Sequence, residues 1–328
     1  MIHAQAMSTL ASECPTFSIV VTIYNDGYLT EPFCQEFQTV FRQYLGVQEI
    51  AGKVELIFVN DGSMDDSLNE LKDLVPRFRF VKVIDLSRNF GQHIAILCGY
   101  REAAGRFVGR LNVDMQDPPS ELPLLLDAIQ SEDVDLVVGI QKIRHSRWLD
   151  VMTARFFFWF FNLLTGAKIP QNTATLRVMN RRFADAFKQV NDKFPFVQGL
   201  ENWFGFRVKY IPTEHRLRGD NKSSYTLLKR LKLAIDASIA FSDRPLRFTV
   251  YLGLMFSALG FTGLVGITVL RLLKPDIPAG YSSIMAVLLF FAGIQIFVIG
   301  LCGLYIGKIL AQVQDRPVYL IRERVNFE

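Results

Sequence analysis

Two long apolar stretches near the C-terminus constrain this 328-residue chain more than any other feature. The first runs from Phe248 to Leu273 and carries one charged residue, Arg271, whereas the second runs from Ile284 to Ile306 and carries none. A helix of roughly 20 apolar residues is long enough to cross a bilayer. We therefore predict two transmembrane helices joined by a short turn. The alternative is a pair of buried core helices in a soluble protein.

The basic residues around these stretches indicate an orientation in the membrane. More basic residues flank the two apolar stretches than lie between them. Arg244 and Arg247 come before the first stretch, and Lys308, Arg316, Arg322 and Arg324 follow the second, whereas only Arg271 and Lys274 lie around the turn between them. Positive flanking residues favour the cytoplasmic side. Residues 1–15 also lack the basic and apolar segments of a signal peptide. We therefore expect a multi-pass protein of the inner (cytoplasmic) membrane, with both termini in the cytoplasm.

The composition favours a soluble domain attached to this membrane region. Hydrophobic residues make up 50% of the chain and charged residues 21%, which is too apolar for an ordinary soluble protein and too charged for a wholly embedded one. The net charge of +4 does not suggest a nucleic-acid partner. No Cys-x-x-Cys pair occurs, so we expect free thiols and no metal at the four cysteines, Cys14, Cys34, Cys98 and Cys302.

From residue 17 to about residue 210, apolar β-rich runs alternate with helical patterns. The predicted strands are Phe17–Tyr24, Val54–Val59, Phe80–Leu86 and Phe107–Val113. The predicted helices between them are Pro32–Leu45, Asp65–Leu74 and Gln92–Ala104. This alternation is typical of an α/β domain with a mostly parallel, Rossmann-like sheet covered by helices on both faces.

Polar residues follow each predicted strand, where the loops of such a sheet gather. They are Asn25 and Asp26, Asn60 and Asp61, Arg88 and Asn89, and Asn112 and Asp114. Ligands of parallel sheets bind at the carboxyl ends of the strands. Turn chemistry alone could explain any one of these pairs, but their repetition at four strand ends predicts a binding site there.

The segment from Asn112 to Pro119 is the sharpest of these constellations. If it is extended, Asn112, Asp114 and Gln116 point the same way. Amide and carboxylate oxygens are suited to Mg²⁺ or Mn²⁺, with substrate phosphates completing the coordination. The alternative is a polar strand end that runs into a Pro-Pro turn.

Basic residues cluster later in the chain, in three groups: Lys142, Arg144 and Arg147; Arg177, Arg181 and Arg182; and Arg216, Arg218 and Lys222. Such groups suit phosphate recognition, although each could be a solvated face. The third group precedes Leu227–Phe241, which we interpret as an amphipathic helix on the membrane surface. The aromatic segment Trp148–Leu164 is either a second interfacial helix or a core helix. Attraction to anionic lipids would also explain basic residues at this junction.

Several motifs together resemble family 2 glycosyltransferases of the GT-A fold, and within them the polyprenyl-phosphate glycosyltransferases. That group includes dolichol-phosphate mannose synthases, prophage undecaprenyl-phosphate glucosyltransferases and the aminoarabinose undecaprenyl-phosphate transferase. The resemblance covers nearly the whole chain after Pro15. The motifs are Ile19–Asn25, Val59–Ser63, Leu86–His93, Asp114–Pro119, Arg218–Tyr225, Phe241–Leu246, Gly303–Lys308 and Arg316–Pro317.

The resemblance implies transfer of a sugar from a UDP- or GDP-linked donor to a polyprenyl (undecaprenyl) phosphate at the cytoplasmic membrane face. It implies a metal, Mg²⁺ or Mn²⁺, at Asp114 and Gln116 with Asn112, and catalytic roles for Asp114, Asp117 and Arg177. The implied donor and phosphate contacts are Tyr24, Asn25, Asp61, Asn89, Gln92, Asn112, Arg216, Arg218, Lys222 and Tyr225.

The chain departs from the family pattern at three places. Asn112 stands where relatives have Asp, Asp26 stands where they have Glu, and the loop Asn172–Arg177 lacks acidic residues that some relatives carry. A base is less necessary for a phosphate acceptor, because its second pKa of about 6 leaves it largely dianionic near neutral pH. Asp117 is a candidate base, or it caps the Pro118–Pro119 turn.

The expected organisation is a GT-A domain with interfacial helices and a C-terminal transmembrane hairpin. Its parts are a tail (1–15), the GT-A domain (16–225), a juxtamembrane amphipathic helix (226–246), two transmembrane helices (247–307) and a cytoplasmic tail (308–328). Expected partners are the donor, the acceptor, membrane lipids, a second copy of the chain and a lipid-sugar flippase. The alternatives are a catalytically weak relative that serves as a membrane scaffold, and a glycosyltransferase with another lipid acceptor.

Overall fold

The computed structural model describes residues 15–141, 173–216, 244–273 and 280–327. These residues belong to two compact units: the first holds 15–141, 173–216 and 317–327, and the second holds 244–273 and 280–316. Both predicted interfacial segments, Trp148–Leu164 and Leu227–Phe241, lie outside the described residues.

The first unit is built on a sheet of eight described strands in the order β7-β5-β6-β4-β1-β2-β3-β8. The strands are β1 Phe17–Ile23, β2 Val54–Asn60, β3 Val81–Leu86, β4 Phe107–Asn112, β5 Leu136–Gln141, β6 Thr173–Asn180, β7 Val208–Thr213 and β8 Ile321–Val325.

The centre of the sheet is parallel, since β1 pairs in parallel with both β2 and β4, and β2 pairs in parallel with β3. Every residue of β2 is buried, as is every residue of β1 but Thr22. Strands with both faces covered need continuous apolar sequence, which is the pattern that predicted them. Each predicted strand from β1 to β4 is confirmed to within one residue at each end.

Helices cover the sheet on both faces, as the alternation predicted. Those described in the first unit are α1 Thr30–Leu45, α2 Ser67–Leu74, α3 Gln92–Glu102, α4 Leu122–Ser131, α5 Arg181–Gln189 and α6 Val197–Trp203. In α1, Phe33, Phe37 and Phe41 recur at helical spacing and are buried. Full burial of a large apolar side chain contributes about 1.5–3 kcal/mol, so this stripe explains why α1 packs where it does.

Two strands on the flanks of the sheet run antiparallel to their neighbours, whereas β7 pairs in parallel with β5 at the other edge. Strand β6 runs antiparallel to its neighbours β4 and β5, and β8 runs antiparallel to β3 at one edge. The sequence predicts no strand in residues 308–328, because the β8 sequence Ile-Arg-Glu-Arg-Val is mostly charged. An edge strand with its central three residues exposed needs little apolar sequence.

The second unit contains two long helices, α7 Arg244–Leu273 of 30 residues and α8 Tyr281–Val313 of 33 residues. At 1.5 Å per residue they are about 45 Å and about 50 Å long, more than the roughly 30 Å of a bilayer core. Both contain an apolar window long enough to span a membrane, Leu246–Gly263 and Phe291–Val313, and almost none of either window is buried. Helices of a soluble core would be buried instead.

Candidate functional site

The carboxyl ends of β1 to β4 meet at one edge of the sheet, which we call the carboxyl edge. Ile23 of β1 lies opposite Asn60 of β2, and Asn60 lies opposite Asp85 of β3. On the other side of β1, Thr22 lies opposite Asn112 of β4. The register therefore brings the polar residues after these strands to one place, as their positions in the sequence predicted.

Tyr24 and Asn25 form the loop after β1. The Asn25 side-chain oxygen accepts a hydrogen bond from the Met64 amide at 3.0 Å, and the Asn25 amide donates to Ser63 Oγ at 3.0 Å. Asn25 has a left-handed backbone with φ of 57°, which Asn tolerates better than most residues. These bonds fasten the β1 loop to the β2 loop and leave the Tyr24 ring exposed at the carboxyl edge.

Asp61 joins the β2 loop to the β3 loop. Its buried carboxylate accepts hydrogen bonds from the Phe90 amide at 2.8 Å and the Gly91 amide at 2.9 Å. Burial raises the pKa of Asp61, and the two amide bonds oppose that rise. The next residue, Gly62, has φ of 65°, and a Cβ there would lie 2.3 Å from the carbonyl carbon of Arg88. The two loops are therefore packed backbone to backbone.

Asn89 and Gln92 lie on the β3 loop that Asp61 holds. Both are exposed, and Gln92 is the first residue of α3. The Arg88 guanidinium lies 4.2 Å from the centre of the Phe90 ring. The structure therefore places these two predicted donor contacts next to the Asp61 loop, where a ligand at the carboxyl edge can reach them.

The segment after β4 forms a turn, so the extended conformation that would align Asn112, Asp114 and Gln116 does not occur. Met115 has a left-handed φ of 54°, and the Gln116 amide donates to Asp114 Oδ1 at 3.2 Å. The positive φ reverses the chain between Asp114 and Gln116. Alternation along a strand therefore does not relate Asn112, Asp114 and Gln116, although the turn keeps all three within one short loop.

The chemistry of this loop fits a divalent cation. The Asn112 side-chain oxygen is buried and has no hydrogen-bond partner in the described part of the chain. With the Asp114 carboxylate and the Gln116 amide, it makes a set of hard oxygen ligands of the kind Mg²⁺ and Mn²⁺ prefer. Within the described residues no three His, Cys, Asp or Glu side chains are grouped for metal binding. An ion here would therefore depend on amide oxygens and substrate phosphates besides Asp114.

Asp117 connects this loop to β6 and to the chain that follows β7. Its buried carboxylate accepts hydrogen bonds from the Thr175 amide at 2.7 Å and from the Thr175 hydroxyl, and its other oxygen lies 3.0 Å from His215 Nδ1. The carbonyl of Gln116 accepts from the Arg216 amide at 2.8 Å. The loop is therefore fixed to β6 and to the chain that follows β7.

Arg177 of β6 is buried, and its guanidinium is engaged within the protein. It forms an ion pair with Glu201 of α6 and donates to the carbonyls of Thr175 at 3.1 Å and Ala174 at 3.0 Å. Burial by itself would lower the pKa of Arg177, but Glu201 outweighs it and the pKa is raised. A role for Arg177 toward a substrate phosphate stays a prediction.

Arg110 of β4 lies opposite Arg177 in the sheet and is also buried. Its Nε and Nη1 atoms have no hydrogen-bond partner in the described ranges. Burial, followed by repulsion from Arg177, lowers the pKa of Arg110 to about 10. Two guanidinium groups side by side make this face of the sheet electrostatically costly unless nearby carboxylates balance them.

Arg216 follows β7, and its side chain is partly exposed to solvent. Its guanidinium lies 3.0 Å from the Glu36 carboxylate of α1, and about half of its side chain is exposed. The other three predicted contacts of this basic region, Arg218, Lys222 and Tyr225, lie outside the described residues.

Two family models match the chain in consecutive regions. Glycosyl transferase family 2 matches residues 18–187, which contain the carboxyl edge and its loops, and the GtrB C-terminal hairpin matches residues 244–309. The chain belongs to glycosyl transferase family 2. Its mostly parallel mixed sheet is the GT-A fold, and the match to the hairpin family agrees with the two long apolar helices α7 and α8.

Relatives of this family 2 glycosyltransferase match it along almost its full length. An uncharacterized glycosyltransferase, YkcC, from Bacillus subtilis (strain 168) is 35% identical over 95% of both chains. The undecaprenyl-phosphate 4-deoxy-4-formamido-L-arabinose transferase of Proteus mirabilis (strain HI4320) is 32% identical over 94% of both. Among solved structures, the mannosyltransferase PcManGT from Pyrobaculum calidifontis is 13% identical over 96% of this chain and 94% of its own, with a TM-score of 0.48.

Three residues that shape the site of this glycosyltransferase were missed in the sequence. Asp85 accepts a hydrogen bond from Asn60, His215 meets Asp117, and Glu201 neutralises Arg177. The sequence contained one signal for Glu201, because Arg177 lies in the middle of an apolar strand and a buried Arg requires an acidic partner. Which acid meets it depends on tertiary packing, which spacing along the chain does not give.

Proposed function

We propose that this family 2 glycosyltransferase transfers a sugar from a UDP- or GDP-linked donor to a polyprenyl phosphate such as undecaprenyl phosphate. The product is a lipid-monophosphate sugar for cell-envelope glycan or lipid modification. One observation carries the proposal: relatives that match both the catalytic region and the hairpin, at 31–32% identity, are named undecaprenyl-phosphate sugar transferases. A lipid acceptor also gives a physical reason for joining a soluble α/β domain to membrane helices.

In this proposal the donor binds at the carboxyl edge. The exposed Tyr24 ring offers a face on which a nucleotide base can stack. Asn25 and Asp61 hold the loops around it, and Asn89 and Gln92 line the neighbouring loop with exposed amides. The side chains of Asn25 and Asp61 are bonded to backbone amides, so their main contribution is to hold the loops of the carboxyl edge in place.

The loop after β4 would hold a divalent cation through Asp114, Gln116 and the buried oxygen of Asn112. A bound Mg²⁺ or Mn²⁺ supplies charge neutralisation for the diphosphate of the donor. The amide at Asn112 contributes no negative charge, so the Asp114 carboxylate carries most of the protein's attraction for the ion. Asp114 is accordingly the side chain on which donor binding should depend most strongly.

The transfer itself exchanges one bond at the anomeric carbon of the sugar. An oxygen of the acceptor phosphate forms a bond to that carbon on one side, and the bond to the diphosphate oxygen breaks on the other. The electron pair leaves with the nucleoside diphosphate, and the anomeric configuration is inverted. A dianionic phosphate needs orientation and charge neutralisation more than deprotonation.

The contacts of Asp117 favour a structural role over that of a general base. Both of its carboxylate oxygens are occupied, one by Thr175 and the other by His215.

We propose that Arg216, with Arg218, Lys222 and Tyr225, binds the phosphates of acceptor and donor. The catalytic domain and both termini would lie on the cytoplasmic side, and a homo-oligomer and a flippase partner stay predictions.

Incubation of membranes containing the chain with radiolabelled nucleotide sugars and undecaprenyl phosphate tests the proposal. We expect label in the lipid phase with one donor of the panel, dependent on Mg²⁺ or Mn²⁺. Asp114→Asn should lose most of this activity, whereas Asp127→Asn, a surface change on α4, should keep it. No lipid label with any donor in the unaltered protein would refute the proposed reaction.

The presence of Asn112 supports a second candidate, a catalytically weak relative that serves as a membrane scaffold. This reading predicts that the unaltered chain binds no nucleotide sugar in the presence of Mn²⁺. It also predicts that Asn112→Asp creates a large, metal-dependent gain in turnover. Calorimetric titration of donor into both proteins separates the two candidates, since the proposed transferase binds donor without the substitution.

A further inference from the structure

Near the end of β3, the chain at β8 contacts the carboxyl edge through its backbone, where the Ser87 amide donates to the Leu320 carbonyl at 2.9 Å, and through the side chain of Arg322. Its Nη1 lies 3.1 Å from Asp85 Oδ2, and its Nη2 donates to the carbonyl of Ser87 at 2.6 Å. The Asp85 side chain is 1% exposed and lies near the end of β3. A buried carboxylate requires compensating donors, and Arg322 supplies charge as well as a hydrogen bond.

Asp85 in turn sets the orientation of the Asn60 side chain. An ionised carboxylate only accepts hydrogen bonds, so the Asn60 amide nitrogen turns toward Asp85 Oδ1, at 2.8 Å. The Asn60 oxygen then faces Ser63 and accepts from both its amide, at 3.3 Å, and its hydroxyl. Along this series of hydrogen bonds, the orientation of each side chain is therefore set by its bond to the side chain before it.

Ser63 passes this orientation to the loops that hold the proposed donor site. Its hydroxyl hydrogen is directed to Asn60, so its oxygen is available to accept from the Asn25 amide at 3.0 Å. Asn25 keeps its left-handed backbone and accepts from the Met64 amide at 3.0 Å. A continuous path of hydrogen bonds therefore runs from Arg322 to the β1 and β2 loops.

We propose that Arg322 is a positioning residue for the donor site. Through Asp85, Asn60 and Ser63, it orders the β1 and β2 loops on which the nucleotide rests. The part of this inference that concerns the nucleotide rests on the proposed function, whereas the ordering of the loops does not. In this proposal a strand near the C-terminus helps to order a site that is formed by the first strands of the chain.

The same strand provides a matched control. Arg324 also forms an ion pair within the first unit, with Glu102 of α3 at 2.9 Å, and Glu323 pairs with Lys72 of α2 at 2.6 Å. The Arg324–Glu102 pair shares no hydrogen bond with Asp85, Asn60, Ser63 or Asn25 in the described part of the chain, whereas Glu323 lies directly opposite Asp85 in the β3–β8 register. Loss of the Arg324 pair removes an ion pair from the same strand and should leave Asn60 undisturbed.

Hydrogen exchange of the full-length protein tests the ordering without any ligand. In Arg322→Gln we expect faster exchange in peptides covering residues 24–28 and 60–66, with exchange in β1 unchanged. Arg324→Gln should leave all of these peptides as in the unaltered protein, and Arg322→Lys should restore most of the protection. Unchanged loop exchange in Arg322→Gln, or equal changes in Arg324→Gln, would overturn the inference.

Donor binding supplies the second measurement. Arg322→Gln should weaken the binding of the nucleotide sugar roughly tenfold, the effect expected when a hydrogen bond to a charged group is lost. It should raise the KM for the donor and leave the KM for the polyprenyl phosphate unchanged. Faster loop exchange in a protein that binds no nucleotide sugar would refute the proposed function and retain the loop ordering. A rise in both KM values would contradict donor positioning.

Discussion

Two buried arginine side chains lie beside the candidate site, and one of them pairs with a buried acid. Arg110 and Arg177 lie next to each other on β4 and β6, and Glu201 of α6 meets Arg177. A buried ion pair contributes little compared with apolar packing, but removal of one partner leaves an uncompensated charge and is costly. The region should therefore tolerate conservative loss of an exposed charge far better than loss of one of these groups.

The first prediction concerns Glu201. Glu201→Gln should lower the free energy of unfolding by about 3 kcal/mol, because the Arg177 guanidinium would stay buried without a counter-charge. The control is Asp133→Asn, which breaks the largely exposed pair with Arg207 and should leave stability almost unchanged. Chemical denaturation of both variants measures the difference. Equal losses would show that burial of the Arg177 pair is unimportant.

The second prediction concerns His93 of α3. Burial, then Arg110 and Arg177, lower its pKa from 6.5 to about 4, so the folded protein holds this ring neutral while the unfolded chain protonates it. Between those two pH values the unfolded state binds the extra proton, and stability falls as pH falls. The slope contributed by His93 should reach about 1.4 kcal/mol per pH unit and fall toward zero as the pH rises past 6.5.

Denaturation curves between pH 4.5 and pH 7.5, about the range in which a histidine titrates, measure this dependence. His93→Gln removes the titrating group and should flatten the curve relative to the unaltered protein. A curve equally steep in His93→Gln would assign the acid sensitivity to other residues.

At the scale of elements, the loops of the carboxyl edge are joined to one another by backbone contacts and side-chain hydrogen bonds, in addition to the pairing of their strands. Gly62 and the Arg88 backbone are in contact, Asp61 bonds the β3 loop, and Asn25 bonds the β2 loop. Two non-glycine residues in these loops, Asn25 and Met115, have left-handed backbones. Such strain persists only where the surroundings determine the conformation, so these contacts hold the loops of the carboxyl edge in one conformation.

The third prediction compares two glycines with the same backbone. Gly62 and Gly46 have φ of 65° and 62°, but a Cβ at Gly62 would collide with Arg88, whereas a Cβ at Gly46 meets nothing within 4 Å. Gly46→Ala should cost about 1 kcal/mol for the left-handed backbone alone. Gly62→Ala should cost clearly more and should also weaken donor binding, as thermal unfolding and calorimetry would measure. Equal costs would contradict the close approach of the two loops.

The elements differ in how well the sequence predicts them. Strands β1 to β4 follow from continuous apolar runs, because both of their faces are buried. Strand β8 does not, because an exposed edge strand is held by pairing with β3 and by the ion pairs of Arg322 and Arg324. The turn at Met115 was missed for a similar reason, since its left-handed backbone depends on the anchoring of Gln116 and Asp117 by distant segments.

At the scale of the whole molecule, the chain combines a family 2 catalytic region with a hairpin of two apolar helices. The rings of Phe256 and Phe291 pack at 5.7 Å between α7 and α8. The sequence predicted this hairpin from length and composition alone, because few soluble helices stay apolar for so many residues. The identity of the sugar could not be predicted, since donor pockets differ by a few side chains scattered over loops.

The fourth prediction concerns membrane attachment. If α7 and α8 span the bilayer, alkaline carbonate and high salt should leave the protein in the membrane fraction, and detergent should release it. Attachment through basic residues alone is electrostatic and is screened by salt. Release by salt or carbonate would show that the two helices do not insert.

The most direct test of the account is to identify both products of one reaction. Purified full-length protein would be incubated with undecaprenyl phosphate and the donor that gives lipid label, and both phases analysed by mass spectrometry. We predict undecaprenyl phosphate heavier by one sugar residue, with an equal amount of nucleoside diphosphate. Release of nucleoside monophosphate, or a donor consumed with no change in the mass of the lipid, would contradict sugar transfer to a lipid phosphate.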